Sequence, residues 1–94
     1  MTALTFEAFK AKHLAAGFDE VIERSWQPNT VLDTHTHPFA VEALVVQGEM
    51  WLTVDGKTQH LQAHDRFTLA RDVPHEERYG AQGATYWVAR RSAA

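Results

Sequence analysis

The sequence predicts an all-β domain, an antiparallel sandwich or barrel of short strands, with one short helix at its N-terminus. From residue 18 onward, short stretches of strand-forming residues alternate with turn signals rich in Gly, Pro, Asn and Asp. The strands recur about every 8–12 residues, a spacing typical of antiparallel sandwiches and barrels. A helical periodicity is confined to the first 17 residues.

The N-terminal segment is predicted to be a helix that begins after Thr5, whose side chain can cap it, and ends at Gly17. Glu7 lies in the first turn, where the helix dipole favours a negative charge. One face of this helix is predicted to carry the positions i, i+3, i+7 and i+8, which are Phe6, Phe9, His13 and Leu14.

Eight strands are expected in the rest of the chain. They are predicted at residues 18–26, 30–37, 40–46, 50–54, 57–61, 66–70, 75–79 and 84–90. Asp55-Gly56 is a strong hairpin signal, and further turns are expected at Gly48-Glu49 and at residues 80–83. We therefore expect a single domain over residues 1–94, with a helix in 1–17 and a barrel in 18–91.

Composition excludes several classes of function. The net charge of −3 argues against nucleic acid as the main partner. The absence of cysteine excludes disulfides, thiolate nucleophiles and Cys-type zinc sites, so any metal must be held by N and O ligands. The N-terminus has no basic segment followed by an apolar stretch, and no apolar run approaches a membrane span. These features predict a cytoplasmic protein without a membrane partner.

The stretch "THTHPFAVEALVVQG" contains the first candidate site. Residues i and i+2 of a strand point to the same face, so His35 and His37 project together with Cα atoms about 6–7 Å apart. Glu42 stands among aliphatic residues, where an unpaired buried carboxylate costs several kcal/mol. Either Glu42 faces solvent, or a cation such as a metal shared with the two imidazoles compensates its charge. His75, after Pro74, supplies a third imidazole.

Two segments, "HTHPFAVEALVVQG" and "DRFTLARDVPHE", resemble the two sequence motifs of the cupin superfamily, the RmlC-like jelly-roll proteins. His35, His37 and Glu42 match the H-x-H and glutamate positions of the first motif. Gly48 follows Glu42 after five residues, whereas the family motif has six. In the second motif only His75 matches.

Glycine positions of the two motifs hold Asn29, His64 and Asp72 in this chain. Motif glycines at turns supply positive φ, and Asn, Asp and His are the non-glycine residues enriched in that region. We therefore predict positive φ at all three positions. The proline and asparagine positions of the second motif hold Ala70 and Tyr79.

The resemblance implies a double-stranded β-helix, the jelly-roll barrel of cupins, in which His35, His37, Glu42 and His75 converge on one divalent metal (Fe, Mn, Ni, Zn or Cu). It implies open coordination positions for a small molecule such as an oxyanion or enolate, and a homodimer. Dioxygenase-type oxidation is the leading function. The alternatives are a non-catalytic binding or sensing cupin and a metal-dependent isomerase or lyase. Glu77 and Tyr79 share strand parity with His75 and are the candidate acid/base residues.

Overall fold

The computed structural model describes residues 5–92 and confirms an all-β fold with one short helix. Its elements are α1 (Phe6–Ala15), β1 (Glu20–Trp26), β2 (Val31–His35), β3 (Ala40–Val54), β4 (Lys57–Gln62), β5 (Arg66–Leu69) and β6 (His75–Arg91). Thr5 caps α1 as predicted, because its hydroxyl accepts a hydrogen bond from the Ala8 amide at 3.1 Å. Positions 1–4 of the predicted helical segment lie outside the described residues.

All six strands belong to one antiparallel sheet that the two long strands, β3 and β6, fold into two halves. In the first half, β1 and β5 flank the C-terminal part of β6 and the N-terminal part of β3. In the second half, β2 and β4 flank the remaining parts of β6 and β3. The two halves enclose the main apolar core, which includes Val45, Met50, Leu52 and Phe67. This arrangement is the jelly-roll barrel.

The predicted turns at Gly48-Glu49 and at residues 80–83 are wrong. Both lie within continuous strands, β3 and β6, which pair with each other along nearly their whole length. The register between them shifts around Gly48, and Gly48 and Gly83 have φ angles of +77° and +70°. Glycines at positive φ are found both in tight turns and in bulges. Here they make bulges that bend the strands from one half of the barrel to the other.

Gly48→Ala is expected to destabilise the barrel more than Gly56→Ala, although both glycines have positive φ (+77° and +74°). Each substitution costs about 1–2 kcal/mol in backbone conformation. A Cβ at Gly48 would also overlap the Gly83 carbonyl oxygen and approach the Ala84 Cα to 2.8 Å, whereas a Cβ at Gly56 meets nothing within 4 Å. This overlap adds about 1–3 kcal/mol. Urea unfolding measures both variants, and equal losses would contradict the close approach of β3 and β6.

Positive φ at the three substituted glycine positions is confirmed. Asn29, His64 and Asp72 have φ angles of 60°, 80° and 61°. Asp72 lies in the connection from β5 to β6, and its amide donates a hydrogen bond to the His37 carbonyl, in the connection from β2 to β3, at 2.8 Å. This hydrogen bond therefore joins the connection that contains His37 to the connection that precedes His75.

Helix α1 packs on the outer face of the first half of the sheet. Phe9 is buried against Leu44 and Trp87, and His13 is buried beside Phe9 and Phe18, whereas Leu14, predicted to share their face, is 42% exposed. The buried face of α1 therefore does not extend to Leu14. Among residues 5–92, no helix has the length and apolar character needed to cross a membrane.

Candidate metal centre and ligand pocket

Three histidines converge at one end of the barrel. His35 ends β2, His37 lies in the following connection, and His75 begins β6. One ring nitrogen from each lies within 4.8 Å of the others. The ring centroids of His35 and His75 are 4.2 Å apart, and that of His37 lies 5.0 and 4.8 Å from them. This spacing allows the three imidazoles to reach one cation.

Backbone hydrogen bonds determine which nitrogens of His35 and His75 are available. The Nδ1 of His35 lies 2.7 Å from the Asp33 carbonyl oxygen, and the Nδ1 of His75 lies 2.9 Å from the Val73 carbonyl oxygen. Carbonyl oxygens only accept hydrogen bonds, so each Nδ1 is the protonated donor. In the neutral tautomers each Nε2 therefore carries a lone pair. Such an outer hydrogen bond is the usual support of a metal-binding histidine.

Glu77 provides a carboxylate at the same place. Its Oε2 lies 3.3 Å from Nε2 of His35 and 3.6 Å from Nε2 of His75. Its Oε1 accepts a hydrogen bond from the Tyr79 hydroxyl at 2.5 Å. Both Glu77 and Tyr79 are buried, so the strand parity that pointed them inward is confirmed, while their roles stay a prediction.

The arrangement of these acceptors suits a cation. Two imidazole lone pairs face a carboxylate oxygen, and the buried Nε2 of His75 has no hydrogen-bond partner among residues 5–92. Buried polar atoms are nearly always paired. A divalent transition metal bound by neutral imidazoles and a carboxylate would satisfy all of them, and these donors match the borderline ligand preference of Fe, Mn, Ni, Cu and Zn.

Glu42 is not brought to the three histidines, contrary to the expectation from sequence. Its Oε1 lies 3.1 Å from the Nε2 of His13 on α1. Because side chains alternate along a strand, Glu42 points away from the barrel interior that its neighbours Val41 and Ala43 face. Counting the six residues of the family motif back from Gly48 gives Val41 and not Glu42. This spacing was the signal in the sequence that Glu42 does not occupy the glutamate position of the motif.

Burial and neighbouring charges keep the third histidine neutral. The pKa of His37 is lowered from 6.5 to about 4, first by burial and then by His75, His35, Arg90 and Arg24. Its imidazole is therefore uncharged near pH 7 and can act as a ligand. Burial raises the pKa of Tyr79 well above its usual value, so its hydroxyl stays protonated and remains a donor to Glu77.

A cavity of about 90 Å³ adjoins the three histidines and Glu77. Its walls are largely apolar, from residues such as Trp26, Phe39 and Phe67. Sequence reasoning missed two further polar wall residues, Arg24 and Arg90. A signal was present for Arg24, because it alternates with Ile22 and Trp26 on β1 and must share their face.

A jelly-roll barrel of this topology with a histidine cluster at one end defines the cupin class. The family model of the AraC-like ligand-binding domain matches residues 17–92. The chain therefore belongs to this family of cupin-type domains. No protein of curated function matches the chain in sequence.

Solved structures share the fold at low sequence identity. An RmlC-like cupin from Shewanella frigidimarina has a TM-score of 0.69 and 23% identity, over 78% of this chain and 65% of its own. KdgF from Halomonas sp. has a TM-score of 0.70 and 16% identity, over 79% and 68%. The polyketide cyclase RemF from Streptomyces resistomycificus has a TM-score of 0.66 and 22% identity, over 85% and 60%. The matched region is thus about two thirds of each protein, and the likeness is one of fold.

Proposed function

We propose that this cupin binds one divalent transition metal through His35, His37 and His75, with Glu77 as the accompanying carboxylate, and that it takes a small anionic molecule into the adjoining cavity. The Nε2 atoms of His35 and His75, which lie 3.3 and 3.6 Å from the Glu77 carboxylate, carry this proposal. In the neutral tautomers this arrangement sets two lone pairs against a negative charge, and a metal ion would bind all three groups. The metal is Fe, Mn, Ni, Zn or Cu, all of which accept such donors.

Dioxygenase-type oxidation of a small enol, catechol or acid is the reaction we propose first. A bound divalent metal would supply Lewis acidity or, as iron, redox chemistry. The protein's own residues would do the rest. Glu77 lies beside the proposed metal position and can accept a proton from a bound substrate. Tyr79 orients Glu77 through its hydrogen bond, and the aromatic walls limit the access of water. Isomerase or lyase chemistry would use the same Glu77 base.

Non-catalytic binding or sensing of a small molecule is the second candidate. The family match favours it, because the AraC-like domains are described as ligand-binding. The same metal centre and cavity would then position a ligand without transforming it. The two candidates differ in whether Glu77 transfers a proton, since both need the three histidines.

Tyr79→Phe separates the two candidates. It removes the hydrogen bond to Glu77 and leaves the three histidines in place. We expect turnover to fall by about tenfold or more, because a positioned acid/base group contributes roughly 10²–10⁴-fold and its displacement loses part of that, while metal content stays near that of the wild type. Oxygen uptake and product mass spectrometry would be measured with Fe, Mn, Ni, Zn and Cu forms against small enols, catechols and acids.

Ser25→Ala is the matched control, because it removes an exposed hydroxyl that pairs with Thr85 at 2.9 Å, on the outer face of β1. Its turnover should equal that of the wild type. If every metal form binds ligands without oxygen uptake or product, the binding or sensing function replaces the catalytic one.

Self-association belongs to the same proposal. Strand β1 lies at an edge of the sheet, and pairing of two such edges across a two-fold axis would cover their free backbone groups. Light scattering should then give twice the 10.6 kDa mass of the chain. A monomer mass at all concentrations would refute the proposed dimer.

A further inference from the structure

Two arginines line the same cavity as the three histidines. Arg24 lies on β1 between Ile22 and Trp26, which pack against the barrel core. Arg90 lies near the end of β6, two residues after the core residue Val88, and therefore has the same strand parity. Both side chains thus come from interior-facing positions, where arginine is rarely placed without a partner.

Each guanidinium is supported by an aromatic ring. The Cζ of Arg24 lies 4.8 Å from the ring centroid of Trp26, and the Cζ of Arg90 lies 4.7 Å from that of Phe39. Both distances are within the range of cation–π attraction. Such stacking occupies the face of the guanidinium and leaves its edge, which carries the N–H donors, available for an acceptor.

The donors of these two arginines are only partly satisfied within the protein. Arg90 Nη1 donates to Glu20 Oε1 at 3.1 Å across the β1–β6 pair, but its buried Nε has no hydrogen-bond partner among residues 5–92. Arg24 forms no ion pair within 4.0 Å with any carboxylate of that range. A purely structural role could account for the contact with Glu20, but it leaves the Arg24 charge and the Arg90 Nε unexplained.

We propose that Arg24 and Arg90 bind the carboxylate of a small ligand whose opposite end reaches the three-histidine centre. The inference deepens the proposed function and rests on it, because the metal centre is the second attachment point. Guanidinium groups match a carboxylate with parallel hydrogen bonds. The cavity of about 90 Å³ limits the ligand to a small molecule. A short oxo or hydroxy acid meets these requirements.

Charge at the cavity favours the same class of ligand. The cavity wall carries two cationic side chains, Arg24 and Arg90, and one carboxylate, Glu77, and Arg90 also pairs with Glu20, which lies outside the wall. A divalent metal would make the cavity more positive and strengthen the attraction of an anion. A neutral amide of the same shape would gain none of this attraction.

The test compares pyruvate with its neutral analogue pyruvamide by calorimetry on metal-loaded protein. Arg24→Gln and Arg90→Gln should each raise the Kd of pyruvate by about tenfold or more, as expected for loss of a charge-assisted hydrogen bond, and leave that of pyruvamide unchanged. Arg78→Gln is the matched control, because Arg78 also stacks on an aromatic ring, with its Cζ 4.4 Å from the Trp51 centroid, but lies outside this cavity. Its Kd for pyruvate should equal that of the wild type.

Metal content and circular dichroism of each variant separate the possible failures. Arg24→Lys and Arg90→Lys keep the charge and should retain a weaker preference for pyruvate over pyruvamide. Zero metal in the wild type would defeat the proposed metal function. If metal-free protein still prefers pyruvate over pyruvamide, and this preference depends on both arginines, the proposed binding of the carboxylate by Arg24 and Arg90 is supported. Unchanged pyruvate affinity in folded Gln variants, tighter binding of inorganic phosphate than of pyruvate, or no pyruvate binding to wild-type protein in either form would overturn it.

Discussion

His75→Ala is expected to lower the metal content of the protein sharply, well below one ion per chain, whereas Glu42→Gln leaves it unchanged. The Nε2 of His75 is buried and lacks a hydrogen-bond partner among the residues that the structure describes. Removing this donor takes away the most buried of the three imidazoles, and the remaining two imidazoles and carboxylate hold a metal more weakly than the complete set. Glu42 lies on the other face of β3 and contacts His13, so its charge is not available to the metal.

Elemental analysis of protein purified without added metal measures this difference. Glu77→Gln is the third variant to compare. It removes the carboxylate near His35 and His75 and keeps the volume of the side chain. We expect its metal affinity to fall by about ten- to a hundredfold. Full metal content in His75→Ala would refute the centre. Loss of metal in Glu42→Gln with full content in Glu77→Gln would restore Glu42 as the ligand.

Removal of the metal should lower the melting temperature by on the order of 10–20 °C. A metal that binds only the folded state at a hundredfold excess over its Kd adds about 2.7 kcal/mol of stability. For a domain of this size, 1 kcal/mol shifts Tm by about 4–8 °C. Calorimetry before and after dialysis against a chelator measures the change, with re-addition of metal as the control. An unchanged melt after verified removal of metal would count against a site formed by folding.

Acid should weaken the metal-free protein through His37. Its pKa is about 4 in the folded chain, where burial is the largest cause, against 6.5 as the ordinary value. The unfolded chain therefore binds the proton first as pH falls. The stability contributed by neutral His37 is fully present above about pH 6.5 and is lost progressively down to about pH 4. His37→Gln should flatten the dependence of Tm on pH in this window, while His60→Gln, a change at an exposed histidine of the β3–β4 hairpin, should leave it as steep.

Much of the fold follows from local chemistry that the sequence displays. The capping hydroxyl of Thr5, the Asp55-Gly56 hairpin and the positive φ of Asn29 and Asp72 each depend on one or two residues and their neighbours. The bends at Gly48 and Gly83 are different. A glycine at positive φ is compatible with a turn or with a bulge. The pairing of β3 with β6 in both halves of the barrel shows that these glycines form bulges within continuous strands.

The candidate site divides in the same way. The sequence predicted that His35 and His37 project together and that Glu77 shares the parity of His75, because the two-residue period of a strand is a local property. The expectation that His75 joins the other two histidines came from the resemblance to cupins. Which glutamate joins the histidines was decided by tertiary structure. Glu42 faces α1, and His13 supplies its partner there. The positions of Arg24 and Arg90 beside the cavity were decided in the same way, because they depend on strands that lie far apart in the chain and are brought together only by the closure of the barrel.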